Sequence, residues 1–261
     1  MLDTGELATA LDRASAALES IDAFDSDYSL AQAYVIQDDF LRIRSARSAS
    51  KKVGYKVALT SPGAQNALKT DHPAYGQLLA SDVEVNGVSI SLSQHFAPLL
   101  ETELIFKIVE DISATANLDE IATKSIVAAG IECPESRFLK WFGGSYPALS
   151  LRHVIADNCL AGFIVVGETW VKASELDLAH LACDLFVNST LAVSGSGAEV
   201  LGNPLKAVEW LNHELWVKGE GLKAGDLISS GTFTGPIIAS VGDVVAKFGG
   251  GVGDVGLTFT S

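Results

Sequence analysis

The chain changes texture once, near Lys52, and that change restricts the fold more than any single motif. Before it, ELATALDRASAALESI and SLAQAYVIQDDFLRIRSARSASKK place apolar residues three and four apart with no internal glycine or proline, the period of amphipathic helices. From VGYKVAL onward, short apolar runs alternate with glycine turns: VEVNGVSI, ETELIFKIV, SIVAAGIEC, AGFIVVG, CDLFVNSTLAVSG, DLISSG, DVVAKF and GDVGLTF. These read as strands, and LFVNSTLAV as a hairpin turning at Asn188–Ser189. Two helices interrupt them: LDEIATKSI, and NPLKAVEWLNHELWVKG, which opens with Asn203 as N-cap and Pro204 at the first helical position. Strands and helices do not alternate regularly, so the pattern predicts an α+β arrangement rather than a doubly wound sheet. It divides the chain into a helical region over residues 1–52 and a mixed β body over residues 53–261, read as one continuous structural unit.

Composition narrows the partners. The 261 residues carry a net charge of −14, which argues against nucleic acid and against an anionic membrane surface. A small anion is not excluded where a metal and a lysine are local to its pocket. Cys133, Cys159 and Cys183 lack metal-ligand spacing and read as buried, reduced thiols. The start, MLDTGELATALDRA, is acidic and amphipathic rather than signal-like, and no apolar stretch reaches about 18 residues. A cytoplasmic location is expected.

Three glutamates stand out within apolar runs. Glu101 and Glu103 lie two apart in PLLETELIFKI and so project from one face of a strand, with Leu100, Thr102, Leu104, Phe106 and Ile108 on the other. Taken alone, the pair also fits the solvent side of an amphipathic strand, with Lys107 beside it. Glu132 is harder to place in water, because it follows Ile126, Val127, Ala128, Ala129, Gly130 and Ile131. An unpaired charge in such a run costs on the order of several kcal/mol. Three carboxylates on one face would suit a hard divalent cation with open positions for water or substrate. The glycine-rich pieces read otherwise. GSGAEVLGNP has the wrong spacing for a dinucleotide loop and no βαβ pattern around it. GEGLKAGDLISSGTFTGP reads as a turn, a strand and a loop whose amides can hold a carboxylate. FGGGVGDVGLTF reads as a sheet-closing element.

GYKVALTSPGAQ, the Glu101–x–Glu103 pair, the E-x-x-x-S-R of Glu132, Ser136 and Arg137, VIADN, GSGAEVLGNP and LKAGDLISSGT occur in that order, preceded by AYVIQ at residues 33–37. So ordered, the chain resembles the 2-keto-4-pentenoate hydratase and 4-oxalocrotonate decarboxylase family, within the fumarylacetoacetate hydrolase superfamily, over nearly its whole length. The resemblance implies a mixed β-sheet roll of that superfamily's type with an N-terminal helical region. It implies a Mg²⁺ or Mn²⁺ ion, a small 2-oxo or 2-hydroxy acid substrate and a homo-oligomer, and it allows a partner enzyme of the same pathway. Carried over by position, Glu101, Glu103 and Glu132 are the metal ligands and Lys56 is the active-site lysine. Backbone amides near Ser230, Gly231 and Thr232 are expected to take the substrate carboxylate.

The implied activity is a lyase: hydration of 2-hydroxy-2,4-dienoates to 4-hydroxy-2-oxo acids in aromatic-compound catabolism. That route ketonises the dienoate, then adds water at C4, and needs a base to direct the water. Here the sequence departs from the pattern. Ala74 precedes Tyr75–Gly76 where the hydratases carry Asp, and Asp71 and His72 are nearby but out of register. Ala58 replaces a glycine, Leu99 stands where a basic residue is common, and Leu160 where a small or polar one is. Decarboxylation of a 2-oxo-3-enedioate is the first alternative, because it needs no water-directing acid. Acylpyruvate hydrolysis and a non-catalytic, partner-stabilising subunit follow.

Overall fold

Two capped helices open the chain in this computed structural model, which describes residues 3–25, 27–142 and 149–261. In α1 (Thr4–Ala17) the Asp3 side chain accepts the Glu6 amide at 2.8 Å, and Glu6 in turn accepts the Asp3 amide. Ser29 and Gln32 make the same reciprocal pair at the start of α2 (Leu30–Ser48). These boxes satisfy amides that have no partner within the helix. The AYVIQ segment acquires a physical reason. Gln37 is fully buried, and its amide donates to the carbonyls of Tyr75 (3.0 Å) and Ile155 (2.9 Å), tying α2 to two later segments.

The β body follows as β1 (Lys52–Ala58), α3 (Pro62–Leu68), β2 (Ala74–Leu79), β3 (Val83–Val85), β4 (Val88–Ser91), β5 (Leu99–Ile108), α4 (Leu118–Thr123) and β6 (Ser125–Cys133). It continues through α5 (Leu151–Ala156), β7 (Phe163–Val166), β8 (Val171–Lys172), β9 (Ala182–Val187), β10 (Thr190–Ser196), α6 (Pro204–Val217), β11 (Leu227–Thr232), β12 (Ile237–Ile238), β13 (Gly242–Phe248) and β14 (Gly253–Thr260). Among the described residues these strands form two mixed sheets. One runs β2-β1-β11-β5-β6-β7-β3, with β12 added to β5 and β8 to β6; the other runs β10-β9-β13-β14-β4. The chain passes from the first sheet to the second at Asn86–Gly87. Gly87 sits at φ 80°, β3 pairs with β7 and β4 pairs with β14. The main core lies between the sheets, where Leu104, Phe106 and Ile131 meet Leu185, Val244, Ala246 and Leu257, with α6 packed alongside.

The expected α+β roll is therefore what the chain forms, and the Asn188–Ser189 hairpin joins β9 to β10 with both turn residues at positive φ. Two helices escape the sequence reading. Seven residues in α3 and six in α5 are too short to display a helical period. LDEIATKSI also splits, because helix ends at Thr123 and strand begins at Ser125. Among the described residues no helix is long and apolar enough to cross a membrane.

Candidate active site

Strand alternation and register assemble the site. On β5 the residues Leu100, Thr102, Leu104, Phe106 and Ile108 are completely buried, Thr102 beneath Thr234 and the four apolar ones in the main core, so Leu99, Glu101 and Glu103 project the opposite way. In the antiparallel β5–β6 pairing Glu101 stands directly opposite Glu132, and Glu103 opposite Gly130. Directly opposed side chains share a face, which brings the three carboxylates together although 29 residues separate Glu103 from Glu132. One ligand oxygen from each lies within 4.8 Å of the others. Glu103 and Glu132 are 1% exposed and Glu101 is partly exposed, so the solvent-side reading of the pair does not hold. That face is roofed rather than wet.

Each glutamate has a different tether. Glu103 Oε2 accepts the Ser229 hydroxyl at 2.5 Å and the Gly231 amide at 2.9 Å. An irregularity in the β11–β5 register between Ser229 and Thr232, with Gly231 at φ 109°, aims that amide at the carboxylate. A side chain at Gly231 would also strike Thr60, 2.3 Å from the Cβ position. Glu132 has no hydrogen-bond partner on either oxygen, although Oε1 lies 2.9 Å from the Lys56 ammonium. A buried carboxylate left open in this way, beside two more, forms an all-oxygen donor set that fits a hard divalent cation.

Lys56 comes from β1, whose neighbouring Tyr55 and Val57 face the main core. Its ammonium donates to the Cys159 carbonyl at 3.0 Å. That carbonyl is presented by an unusual turn: Asn158, Cys159 and Leu160 all have φ between 50° and 61°, a left-handed run without glycine. The sequence motifs explain what holds it. Asp157 of VIADN accepts from Ser136 Oγ (2.6 Å), the Arg137 amide (3.0 Å) and Arg137 Nε (2.5 Å), joining the E-x-x-x-S-R segment to the turn in a fully buried ion pair. Arg137 also donates to the carbonyls of Asp157 and Ala161. Asn158 brackets Gln77 of β2, accepting its amide and donating to its carbonyl. Gly76 has to be glycine here, because a Cβ would sit 2.4 Å from the Asn158 carbonyl oxygen.

The electrostatics follow from crowding without water. Burial alone would lower the Lys56 pKa, but Glu132 and then Glu101 outweigh it and hold the ammonium above the ordinary lysine value. Burial, then the Glu132 charge, pushes Glu101 up to about 7 against the pull of Lys56. Glu103 is driven well above the carboxylate range by burial and by Glu132 and Glu101. Burial pushes the Cys159 thiol up to about 12, and all three cysteines are buried and free, as their spacing suggested.

Lys56, Glu101 and Glu103 open into a cavity of about 470 Å³, with Glu132 beneath them. Gly231 and Thr232 line it, but the Gly231 amide is taken by Glu103 rather than presented to a ligand. Ser230 is buried away from the lining, with its hydroxyl unpartnered. Asp71 and His72 are exposed and do not line the cavity, and Ala74 is buried in apolar packing. Neither Asp71 nor His72 therefore replaces the acid absent at residue 74; among the described lining residues, the carboxylate outside the three-glutamate cluster is Glu199. Sequence reasoning missed Ser229, the Cys159 carbonyl and Asp157. It also missed His95, whose Nδ1 lies 3.0 Å from Glu135 near the segment leading into β5. VIADN was the available signal for the turn, but its geometry is not encoded in spacing.

This roll and its carboxylate cluster place the chain in the fumarylacetoacetate hydrolase class. The family model "Fumarylacetoacetate (FAA) hydrolase C-terminal" matches residues 145–259. The solved 4-oxalocrotonate decarboxylase from Pseudomonas putida G7, complexed with magnesium and adipate, has the same fold at a TM-score of 0.90, with 24% identity over 98% of this chain and 97% of that one. The 2-keto-4-pentenoate hydratase of Burkholderia vietnamiensis is 32% identical over 232 residues, 87% of this chain and 85% of its own. The 2-hydroxyhexa-2,4-dienoate hydratase of Comamonas testosteroni is 30% identical over 238 residues, 90% and 88% of the two chains. The chain belongs to the 2-keto-4-pentenoate hydratase and 4-oxalocrotonate decarboxylase family of that superfamily.

Proposed function

We propose that this protein is a divalent-metal-dependent lyase that hydrates 2-hydroxy-2,4-dienoates to 4-hydroxy-2-oxo acids. The observation that carries the reading is the convergence of Glu101, Glu103 and Glu132 beside the Lys56 ammonium at one end of a single cavity. Glu101, Glu103 and Glu132 would hold Mg²⁺ or Mn²⁺. When bound, such an ion supplies Lewis acidity toward the carboxylate and 2-oxo oxygens of the substrate.

The chain's own residues do the rest. Lys56, positioned by the Cys159 carbonyl and Glu132 and held as the ammonium, offers a hydrogen-bond donor to negative charge developing on the substrate's 2-oxygen. Ser229 and the Gly231 amide fix the Glu103 carboxylate. Work as a homo-oligomer, beside a partner enzyme of the same aromatic-degradation pathway, belongs to the same proposal, as does a cytoplasmic location.

A second reading, decarboxylation of a 2-oxo-3-enedioate, draws support from Ala74: no acid occupies that position, and Asp71 and His72 are exposed outside the cavity. An ultraviolet assay with Mg²⁺ on 2-hydroxy-2,4-pentadienoate and on 2-oxo-3-hexenedioate, with CO₂ measured in parallel, separates the two. Loss of the dienoate with formation of 4-hydroxy-2-oxopentanoate is expected. CO₂ release from the dioate, with the dienoate untouched, would replace the hydratase by the decarboxylase.

A further inference from the structure

Beyond the carboxylates, one part of the cavity wall is apolar, while Thr60, Ser61, Ser194, Thr232 and Thr234 line other parts. Leu68, Leu99, Trp141, Val154 and Leu160 line the apolar part, and all five are buried members of the apolar cluster that also contains Leu7, Leu11, Ile36 and Phe40 from the N-terminal helices. Leu99 sits two residues before Glu101 on β5, so its side chain rises from the same face and lines the cavity beside the carboxylates. Among the described lining residues Lys56 is the sole cationic or imidazole side chain, and it is already engaged by Glu132 and the Cys159 carbonyl. The remaining charged lining residue is Glu199, which is exposed and negative.

We infer that this wall selects substrates whose far end is uncharged and apolar, an alkyl or aryl substituent on the dienoate, and rejects those ending in a second carboxylate. The inference rests on the proposed reading that a 2-hydroxydienoate binds with its carboxylate end at Glu101 and Glu103. A second carboxylate would lose its water against leucine, valine and tryptophan with no cation to meet it, and an unpaired charge is the costliest group to bury. An alkyl tail does the reverse. Each methylene transferred from water to such a wall favours binding by about fourfold. The cavity, at about 470 Å³, lies in the range of pockets that enclose ligands larger than a five-carbon acid.

Two measurements test this, and they fail separately. The first compares kcat/KM with Mg²⁺ for 2-hydroxypenta-2,4-dienoate, 2-hydroxyocta-2,4-dienoate and 2-hydroxyhepta-2,4-diene-1,7-dioate. The octadienoate is expected to exceed the pentadienoate by roughly tenfold or more, and the dioate to fall at least about tenfold below the octadienoate. The second compares Kd for the unreactive probes 2-oxooctanoate and 2-oxoheptanedioate by calorimetry, where the monoacid should bind at least about tenfold more tightly. If none of the dienoates is hydrated but the monoacid still binds better, the hydratase reading fails and the tail preference stands. If the diacid binds as well as the monoacid, the tail preference is overturned whatever the turnover. Leu99→Arg is expected to reverse the Kd preference toward the diacid; a folded variant that leaves it unchanged would remove Leu99 from the proposal.

Discussion

Lys56 and Glu132 illustrate how much one residue's neighbours decide. The ammonium is buried, yet it is held charged by carboxylates that would otherwise repel one another. Lys56→Met is expected to lower kcat by about 10²–10³-fold, the range lost with a positioned donor to developing negative charge. Its Mg²⁺ affinity, read by calorimetry, should not weaken, because the variant removes a cation that competes for the same carboxylates. The metal's pH dependence has a definite sign. Glu101 rises from 4.5 to about 7 in the folded, metal-free protein, so the fold binds more protons than the unfolded chain between those values. Metal-free stability therefore declines as pH rises through that window. Metal binding must release the protons held by Glu101 and Glu103, so Mg²⁺ affinity should fall as pH drops through 7, by up to about tenfold per unit for each proton displaced. Titrations on either side of that pH check it; a flat affinity would show Glu101 already ionised.

At the scale of elements, the left-handed turn at Asn158–Leu160 depends on a pairing between segments 20 residues apart, Arg137 with Asp157. Arg137→Met leaves the Asp157 carboxylate buried and unpaired and should cost about 3–5 kcal/mol in denaturant unfolding. A loss below about 1 kcal/mol would mean that the backbone holds the turn by itself. Much of the strand content was legible because each strand carries its own alternation and its own glycine boundaries. Which face of β5 is wet was not legible. That depends on the turn, α3 and α5, which line the same cavity as Glu101, and none of these announces itself in periodicity. The turn is the least readable part, since αL is rare for non-glycine residues and nothing in the letters N-C-L asks for it. The motifs E-x-x-x-S-R and VIADN were visible as separate strings, and their meaning is a single buried ion pair that exists only after folding. For the same reason the Gly231 amide looked available to a substrate until the β11 irregularity turned it toward Glu103.

For the molecule as a whole, the carboxylate cluster concentrates in one place part of a net charge of −14. A ligand that binds only the folded state stabilises it by mass action, about 2.7 kcal/mol at a hundredfold excess over Kd. For a chain of this size, saturating Mg²⁺ should raise Tm by roughly 5–10 °C. A chelator should reverse the shift, and Glu103→Ala should abolish it. If Glu103→Ala removes turnover while leaving assembly size unchanged by sedimentation, a purely scaffolding role is excluded.

The two ends of the cavity are fixed by different kinds of information. Backbone register sets the carboxylate end, where Glu101 faces Glu132 because β5 and β6 pair as they do. Side-chain volume sets the other end, and those side chains belong to the same apolar cluster as α1 and α2. The two kinds of information meet in the turn at Asn158–Leu160, whose Cys159 and Leu160 belong to that apolar cluster while the Cys159 carbonyl holds Lys56. Phe40 of α2 belongs to the same apolar cluster as Val154 and Leu68, and its ring also lies 5.7 Å from the Arg137 guanidinium, so a change of volume there bears on both ends. A lineage built on this roll would alter its diet through the same helices that steady its chemistry.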